Sequence, residues 1–463
     1  MPRLFQLLRA FSARELSALE KYLHSPAVNS RKDIPLLLQA YRKVPKGEPP
    51  QPEQLWRAVH PGEPFLLRDW RLLLSRTFKL VEGFLIFRQL EEEKAFQKLL
   101  LAKAYRRLQL TPFFERAISD GHTLLQKRGY FDSESLHLHY RLEDAYYDYV
   151  ASHKRQEVTN LQEASDRLSH YFIATKLKQA CLAHSRNITN QESYRIGMLP
   201  AVLEEIAGHP ALLQVPAIAV YYSCFRAVVE GGNEADFQEL RQVMDQYQSG
   251  FPNSEMRDIY LLAINYCIRR ANTGEEPFVS ETLALYRQSL DRGYLLEDGV
   301  IPESTFGNII SLALRLKEYS WAEDFTEHFH PRLPPAFRQP LYLLSIGKLR
   351  YAQQKPTAAL RALAKVEAKA PFLYLGAKIL QVKIFYEAGE TDALESLLAS
   401  LQAYLRRQKK LGYRRAHYQL FITFSRRLMH LAPYDENGRK ALQNDIHATM
   451  GFQEQEWFLQ QLR

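Results

Sequence analysis

Apolar positions recur at helical spacing along nearly the whole chain, most clearly between Phe306 and Leu405. There, LYLLSIGKLRYAQQ reads as a helix, Lys355 and Pro356 mark a turn, and TAALRALAKVEAK reads as a second helix ending before Pro371. Ala359, Leu363 and Val366 follow one another at steps of four and three, which lines their side chains on one face. The next stretch repeats the plan. Ile379, Val382 and Phe385 lie on a first helix, Gly389 turns the chain, and Ala393 and Leu397 lie on a second. Ala359 and Ala393 are 34 residues apart, as are Leu363 and Leu397, and Ala322 precedes Ala359 by 37. No segment shows the period-two alternation of a strand. An all-α fold of successive helical hairpins is expected.

A two-helix unit repeating at about 34 residues resembles the tetratricopeptide class of helical repeats. Gly347 stands where that motif takes a small residue for close helix contact, Ala359 at the small position opening the second helix, and Pro371 at the close of the unit. The match departs where the motif's large aromatic is Leu343 and where Gly347 is succeeded by Gln381. The resemblance implies an α-solenoid of stacked hairpins, a tetratricopeptide-like superhelix. Its inner surface, with Lys348 and Lys383 on first helices, would bind a protein or peptide.

Upstream, Ser12 and Glu15 form the pattern of a capping box. KVPKGEPPQPEQ reads as a linker, and Leu66 to Leu108 as nearly unbroken helix with Gly83 its weak point. Pro216 is expected to open a helix running through Val229. Cys181, Cys224 and Cys267 are 43 residues apart each time, which suggests one small buried position on three successive first helices. The chain is divided here into an N-terminal helical domain, 1–110, and a repeat array, 111–463. FSARELSALEKYLHSPAVN, NLQEASDRLSHYFIATKLKQAC and the run from RDIYLLAINYCIRRANTGEEPF through LRLKEYSWAEDF resemble a family of bacterial all-helical proteins with tetratricopeptide-like repeats and no assigned activity. That resemblance implies the fold and a cytoplasmic setting, and carries no catalytic residue.

Composition narrows the chemistry. Three cysteines without a C-x-x-C pair suggest neither a disulfide framework nor zinc. MPRLFQLLRAFSARE reads as the first helix of the fold and not as a signal peptide, and no apolar run has membrane-spanning length. Phosphate-cradling glycine loops, H-E-x-x-H and G-x-S-x-G are absent from the sequence. The pairs His137/His139 and His328/His330, two residues apart, would point to different faces of a helix. An enzyme, a metal and a cofactor are not expected.

One segment stands out electrostatically. No acidic residue lies between Ser396 and Tyr434, whereas Arg406, Arg407, Lys409, Lys410, Arg414, Arg415, Arg426 and Arg427 supply eight of a net charge of +9. Cations in the last turn of a helix offset its exposed carbonyls by roughly 0.3–1 kcal/mol each. That reason fails for Arg414 and Arg415 if Gly412 separates two helices. Three readings remain open: a solvated or structural role, an acidic protein or peptide partner, and nucleic acid, for which Tyr404, Tyr413 and Tyr418 would offer stacking rings. The expected function is a non-enzymatic protein- or peptide-binding scaffold, with a nucleic-acid-associated protein as the alternative.

Overall fold

The structure is a computed structural model. It describes residues 2–463 except 46–47, 154–157, 191–192, 230–231, 368–369, 409–413, 433, 450–451 and 453; of 153, 188–190 and 414 only the backbone is described. Among the described residues the fold is all-α, and a lone bridge between Glu297 and Val300 is the only β-type pairing. The chain divides into two compact units. Unit 1 comprises Met1–Gln179 and Ile196–Tyr222, and unit 2 comprises Ala180–Arg195 and Ser223–Arg463.

Unit 1 begins with α1 (Arg3–Ala10), α2 (Ala13–Leu23), α3 (Asp33–Arg42), α4 (Pro52–Val59) and α5 (Leu67–Glu92). These enclose a core of Leu4, Phe5, Leu19, Leu37, Trp56 and Trp70. The capping box at α2 forms: the Ser12 hydroxyl accepts from the Glu15 amide at 3.2 Å, and the Glu15 carboxylate accepts from the Ser12 amide at 2.7 Å. Pro52, at the end of the linker-like segment, starts α4, where its missing N–H costs nothing. The unit continues with α6 (Lys94–Arg107), α7 (Thr111–Arg128), α8 (Ser133–His153), α9 (Leu161–Asn190), α10 (Leu199–Gly208) and α11 (Pro216–Cys224), the ends of α9 and α11 passing into unit 2. The long helix read from Leu66 to Leu108 is broken at Glu93, not at Gly83, which lies within α5. The helix from Pro216 changes to a π-helical turn over Phe225–Val229.

Unit 2 holds α12 (Glu234–Tyr247), α13 (Asn253–Asn272), α14 (Pro277–Asp291), α15 (Glu303–Arg315), α16 (Tyr319–Phe329), α17 (Pro335–Ala352), α18 (Pro356–Leu363), α19 (Pro371–Glu387), α20 (Thr391–Arg407), α21 (Arg414–Met429), α22 (Glu436–Ala448) and α23 (Gln455–Gln461). One backbone device recurs where hairpins turn. After α13, α15, α17 and α19 a residue takes the left-handed conformation: Gly274 (φ 96°), Lys317 (φ 60°), Gln354 (φ 59°) and Gly389 (φ 71°). In each, the next amide reaches five residues back. Glu275 donates to Arg270 O (3.2 Å), Glu318 to Ala313 O (2.9 Å), Lys355 to Arg350 O (2.9 Å) and Glu390 to Phe385 O (3.0 Å). This is the Schellman closure, which satisfies the last carbonyls of one helix and redirects the chain into the next. In unit 1, Gln109 (φ 59°) closes α6 in the same way, with Leu110 N–H on Tyr105 O at 2.9 Å.

The turns fix the register of the packing. Gln354 and Gly389 are 35 residues apart, and the buried sets follow that offset. Ala359, Leu363 and Val366 are buried, and Leu394, Leu398 and Leu401 take their places in the next hairpin. Ala393 and Leu397, expected from the 34-residue spacing, are only partly buried, one position off the enclosed face. Gly347 does permit close contact: a Cβ there would fall 2.6 Å from Leu363 Cγ. Cys181, Cys224 and Cys267 lie on α9, α11 and α13 as wholly buried thiols. Burial pushes Cys224 up to about 12 and raises the other two, so none is a ready nucleophile.

Candidate functional site

The basic segment divides between helix ends. Arg406 and Arg407 close α20 in its last turn, are exposed, and make no ion pair among the described residues. Arg414 and Arg415 open α21, where the helix amides disfavour positive charge, so the carbonyl-end reason covers the first pair and not the second. Lys409, Lys410 and Tyr413 lie outside the described residues, as does the side chain of Arg414. Arg427, at the far end of α21, pairs with Asp445 of α22 at 2.6 Å, and Arg426 is partly buried. The tyrosines separate from the arginines. Tyr404 is 7% exposed and packs on Tyr374 with ring centroids 4.8 Å apart, while Tyr418 lies against the core of α19–α23. Tyr404 is a packing residue in this fold, and its ring is not presented to a stacking base.

A second cluster is better organised, and the sequence reading touched only two of its members. Lys348 on α17, Lys383 on α19 and His417 on α21 are separated by 35 and 34 residues, equivalent positions on three successive first helices. All three are partly buried. Neither lysine has a carboxylate within ion-pair distance among the described residues. Burial and the neighbouring Lys383 lower the pKa of Lys348, with Glu454 opposing them. Burial likewise lowers Lys383, against Glu454 and Glu387.

What faces these three residues comes from α23 and the residue before it. Glu454 places its carboxylate 2.8 Å from His417 Nε2 and is itself largely enclosed. Trp457 lies beneath Lys383, whose ammonium is 5.5 Å from the ring centroid, a cation–π arrangement. The indole N–H donates to Glu387 Oε1 at 2.7 Å, and the Tyr351 hydroxyl donates to the same oxygen at 2.6 Å. Burial and this carboxylate together raise the Tyr351 hydroxyl. Tyr386 meets the indole edge-on at 5.6 Å. The 35- and 34-residue steps from Lys348 to Lys383 to His417 were legible in the sequence. Glu454, Trp457 and Glu387 carried no local signal, because their role depends on α23 returning to α19 and α21.

Unit 1 holds a polar cluster of its own. His122 on α7 and His139 on α8 place their Nδ1 atoms 3.3 Å apart, and His122 Nε2 lies 3.1 Å from Glu143. Asn160 donates to the same carboxylate at 2.8 Å, and the His122 contact and this bond hold Glu143 below the ordinary carboxylate range despite burial. Burial, with His122 and Arg167 nearby, lowers His139 to about 4. His137 is apart from this group, stacked on Tyr171 at 4.6 Å. Among the described residues no three or more His, Cys, Asp or Glu side chains are arranged to hold a metal ion, and no helix is long and apolar enough to cross a membrane. No protein-family model, curated protein or solved structure matches the chain.

Proposed function

We propose that the protein is a non-enzymatic scaffold whose unit 2 is a tetratricopeptide-like stack of hairpins, with the first helices presenting a binding surface to a protein or peptide. The reading rests on one observation: a single turn geometry recurs between paired helices, with the 35 residues from Gln354 to Gly389 matching the step from Lys348 to Lys383 on the first helices. A stack of such units offers a few side chains per first helix to one continuous surface. Lys348 and Lys383 are partly buried and lack ion pairs among the described residues, so an acidic partner fits the surface electrostatically.

The test is site-specific photo-crosslinking in the native host. A photoreactive phenylalanine analogue replaces Tyr351 or Leu420 on first helices, or Glu395 on the second helix α20. Protein adducts from the first two positions and none from Glu395 are expected. Equal capture at all three positions, or none, would refute the surface. The exposed, unpaired Arg406 and Arg407 favour a second reading, nucleic-acid association through the basic segment. It requires RNA or DNA binding that weakens steeply with salt and is lost with Arg414→Glu plus Arg415→Glu. No binding at low salt removes it.

A further inference from the structure

The row formed by Lys348, Lys383 and His417 already has an occupant, and that occupant defines a chemistry. Glu454 supplies a carboxylate to the row, hydrogen-bonded to His417. Three residues later Trp457 supplies a ring that lies under Lys383 and an N–H that reaches Glu387. A glutamate and an aromatic three positions apart project from one side of a helical segment. The helix that brings them, α23, has seven residues, too few to be stable in isolation, so it holds its shape only while docked.

We propose that this row on the first helices of unit 2 is a receptor for an acidic, aromatic peptide segment of the form Glu-x-x-Trp, and that the protein's own Glu454–Trp457 segment occupies it as a tethered ligand. The proposal rests on the scaffold reading above and names the partner chemistry of the same surface. The two lysines make it a carboxylate receptor: neither has a direct counter-ion among the described residues, and Glu454, the carboxylate that acts on both, is already shared with His417. Glu387 and Tyr351 favour the indole, because the Glu387 oxygen that accepts from Tyr351 also accepts from the ring N–H that enters. Phenylalanine in place of the tryptophan would leave that oxygen with one partner fewer.

The tether sets the affinity of an incoming segment. An intramolecular ligand on a short connection competes at an effective concentration on the order of millimolar. A partner peptide therefore binds the resting protein weakly, and binds well once the internal segment is weakened. The experiment uses the full chain and a dye-labelled synthetic peptide with the sequence of residues 452–463, followed by fluorescence anisotropy. Glu454→Gln in the protein removes the internal carboxylate and is expected to tighten peptide binding at least tenfold. Lys348→Gln plus Lys383→Gln, added to that variant, should abolish the gain. A peptide carrying Gln in place of Glu454, with Glu456 kept, should bind the Glu454→Gln protein no better than it binds the unaltered one.

Circular dichroism confirms that each variant is folded; if Glu454→Gln is not, Trp457→Phe replaces it, because it removes the N–H on Glu387 and keeps the ring. Equal peptide affinity for the unaltered and weakened proteins, or a gain that survives loss of both lysines, overturns the proposal. Crosslinking of a partner at Tyr351 or Leu420 alongside that result would leave the scaffold standing with a different ligand chemistry. Failure of both experiments removes the surface altogether.

Discussion

Replacing Gly347 by alanine tests the closest helix contact in unit 2. Two opposing effects act at this position. Alanine is preferred to glycine inside a helix by about 1 kcal/mol. Against that, the new methyl would lie 2.6 Å from Leu363 Cγ and closer still to Cδ2, more than an ångström inside the usual carbon–carbon separation of about 3.5–4.0 Å. Leu363 cannot swing away, since it is 1% exposed and packed among Leu344, Ala359 and Val366. Overfilling a packed core costs about 1–3 kcal/mol, so Gly347→Ala should be destabilising by about 0–2 kcal/mol. Gly307 on α15 is the control, because a Cβ there meets nothing within 4 Å. Gly307→Ala should stabilise by about 1 kcal/mol. Thermal unfolding followed at 222 nm reads the difference at about 2–4 °C per kcal/mol for a cooperative unit of 150–250 residues. A double-mutant cycle with Leu363→Val should show coupling of about 1 kcal/mol. A Gly347→Ala protein as stable as Gly307→Ala, with no coupling to Leu363, would refute the close-packing argument.

Other outcomes follow from the turns, the histidines and the basic segment. Gln354→Gly relieves a left-handed non-glycine residue and should stabilise by up to about 1 kcal/mol, whereas Gly389→Ala at the equivalent turn should destabilise by about 1–2 kcal/mol; urea unfolding midpoints decide both. The His139 pKa, held near 4, lies below its unfolded value of about 6.5, so the folded form favours the neutral ring. Unit 1 is therefore expected to be fully stable above pH 6.5 and to lose stability as pH falls from 6.5 to 4, a loss that His139→Gln should flatten in pH-dependent unfolding. Tyr404→Ala should cost about 3–5 kcal/mol through lost burial, while Arg406→Ala and Arg407→Ala should stay within about 0.5 kcal/mol in the same assay.

Helical periodicity made the all-α class legible, because amphipathic stripes are local in sequence. The hairpin at Gly389 was legible because a glycine marked its left-handed residue. At Gln354 the turn itself was marked by Lys355 and Pro356, but the left-handed residue there and at Lys317 was hidden, since those side chains tolerate the conformation only at a cost that the rest of the hairpin supports. This also explains the one-residue error at Ala393. Spacing counted between small residues gave 34, whereas spacing counted between turns gives 35, and it is the turn that sets which face of α20 is enclosed. At the site, charge was visible and placement was not. Tyr404 and Arg406 are neighbours in sequence, yet α20 turns one inward and the other outward. The spacing of Lys348, Lys383 and His417 was legible, but what faces them needed the return of α23 to α19 and α21.

The left-handed turns at Gly274, Lys317, Gln354 and Gly389 stand 43, 37 and 35 residues apart. The same junction thus closes hairpins of different length, which makes it a splice point indifferent to what it joins. A chain shortened by fusing Gln354 directly to Glu390 would keep the local backbone of a single intact turn while losing one whole hairpin's length. Such a deletion removes Lys383 and Glu387 together, so the length of the lysine row and the acceptor for the indole stand or fall as one module.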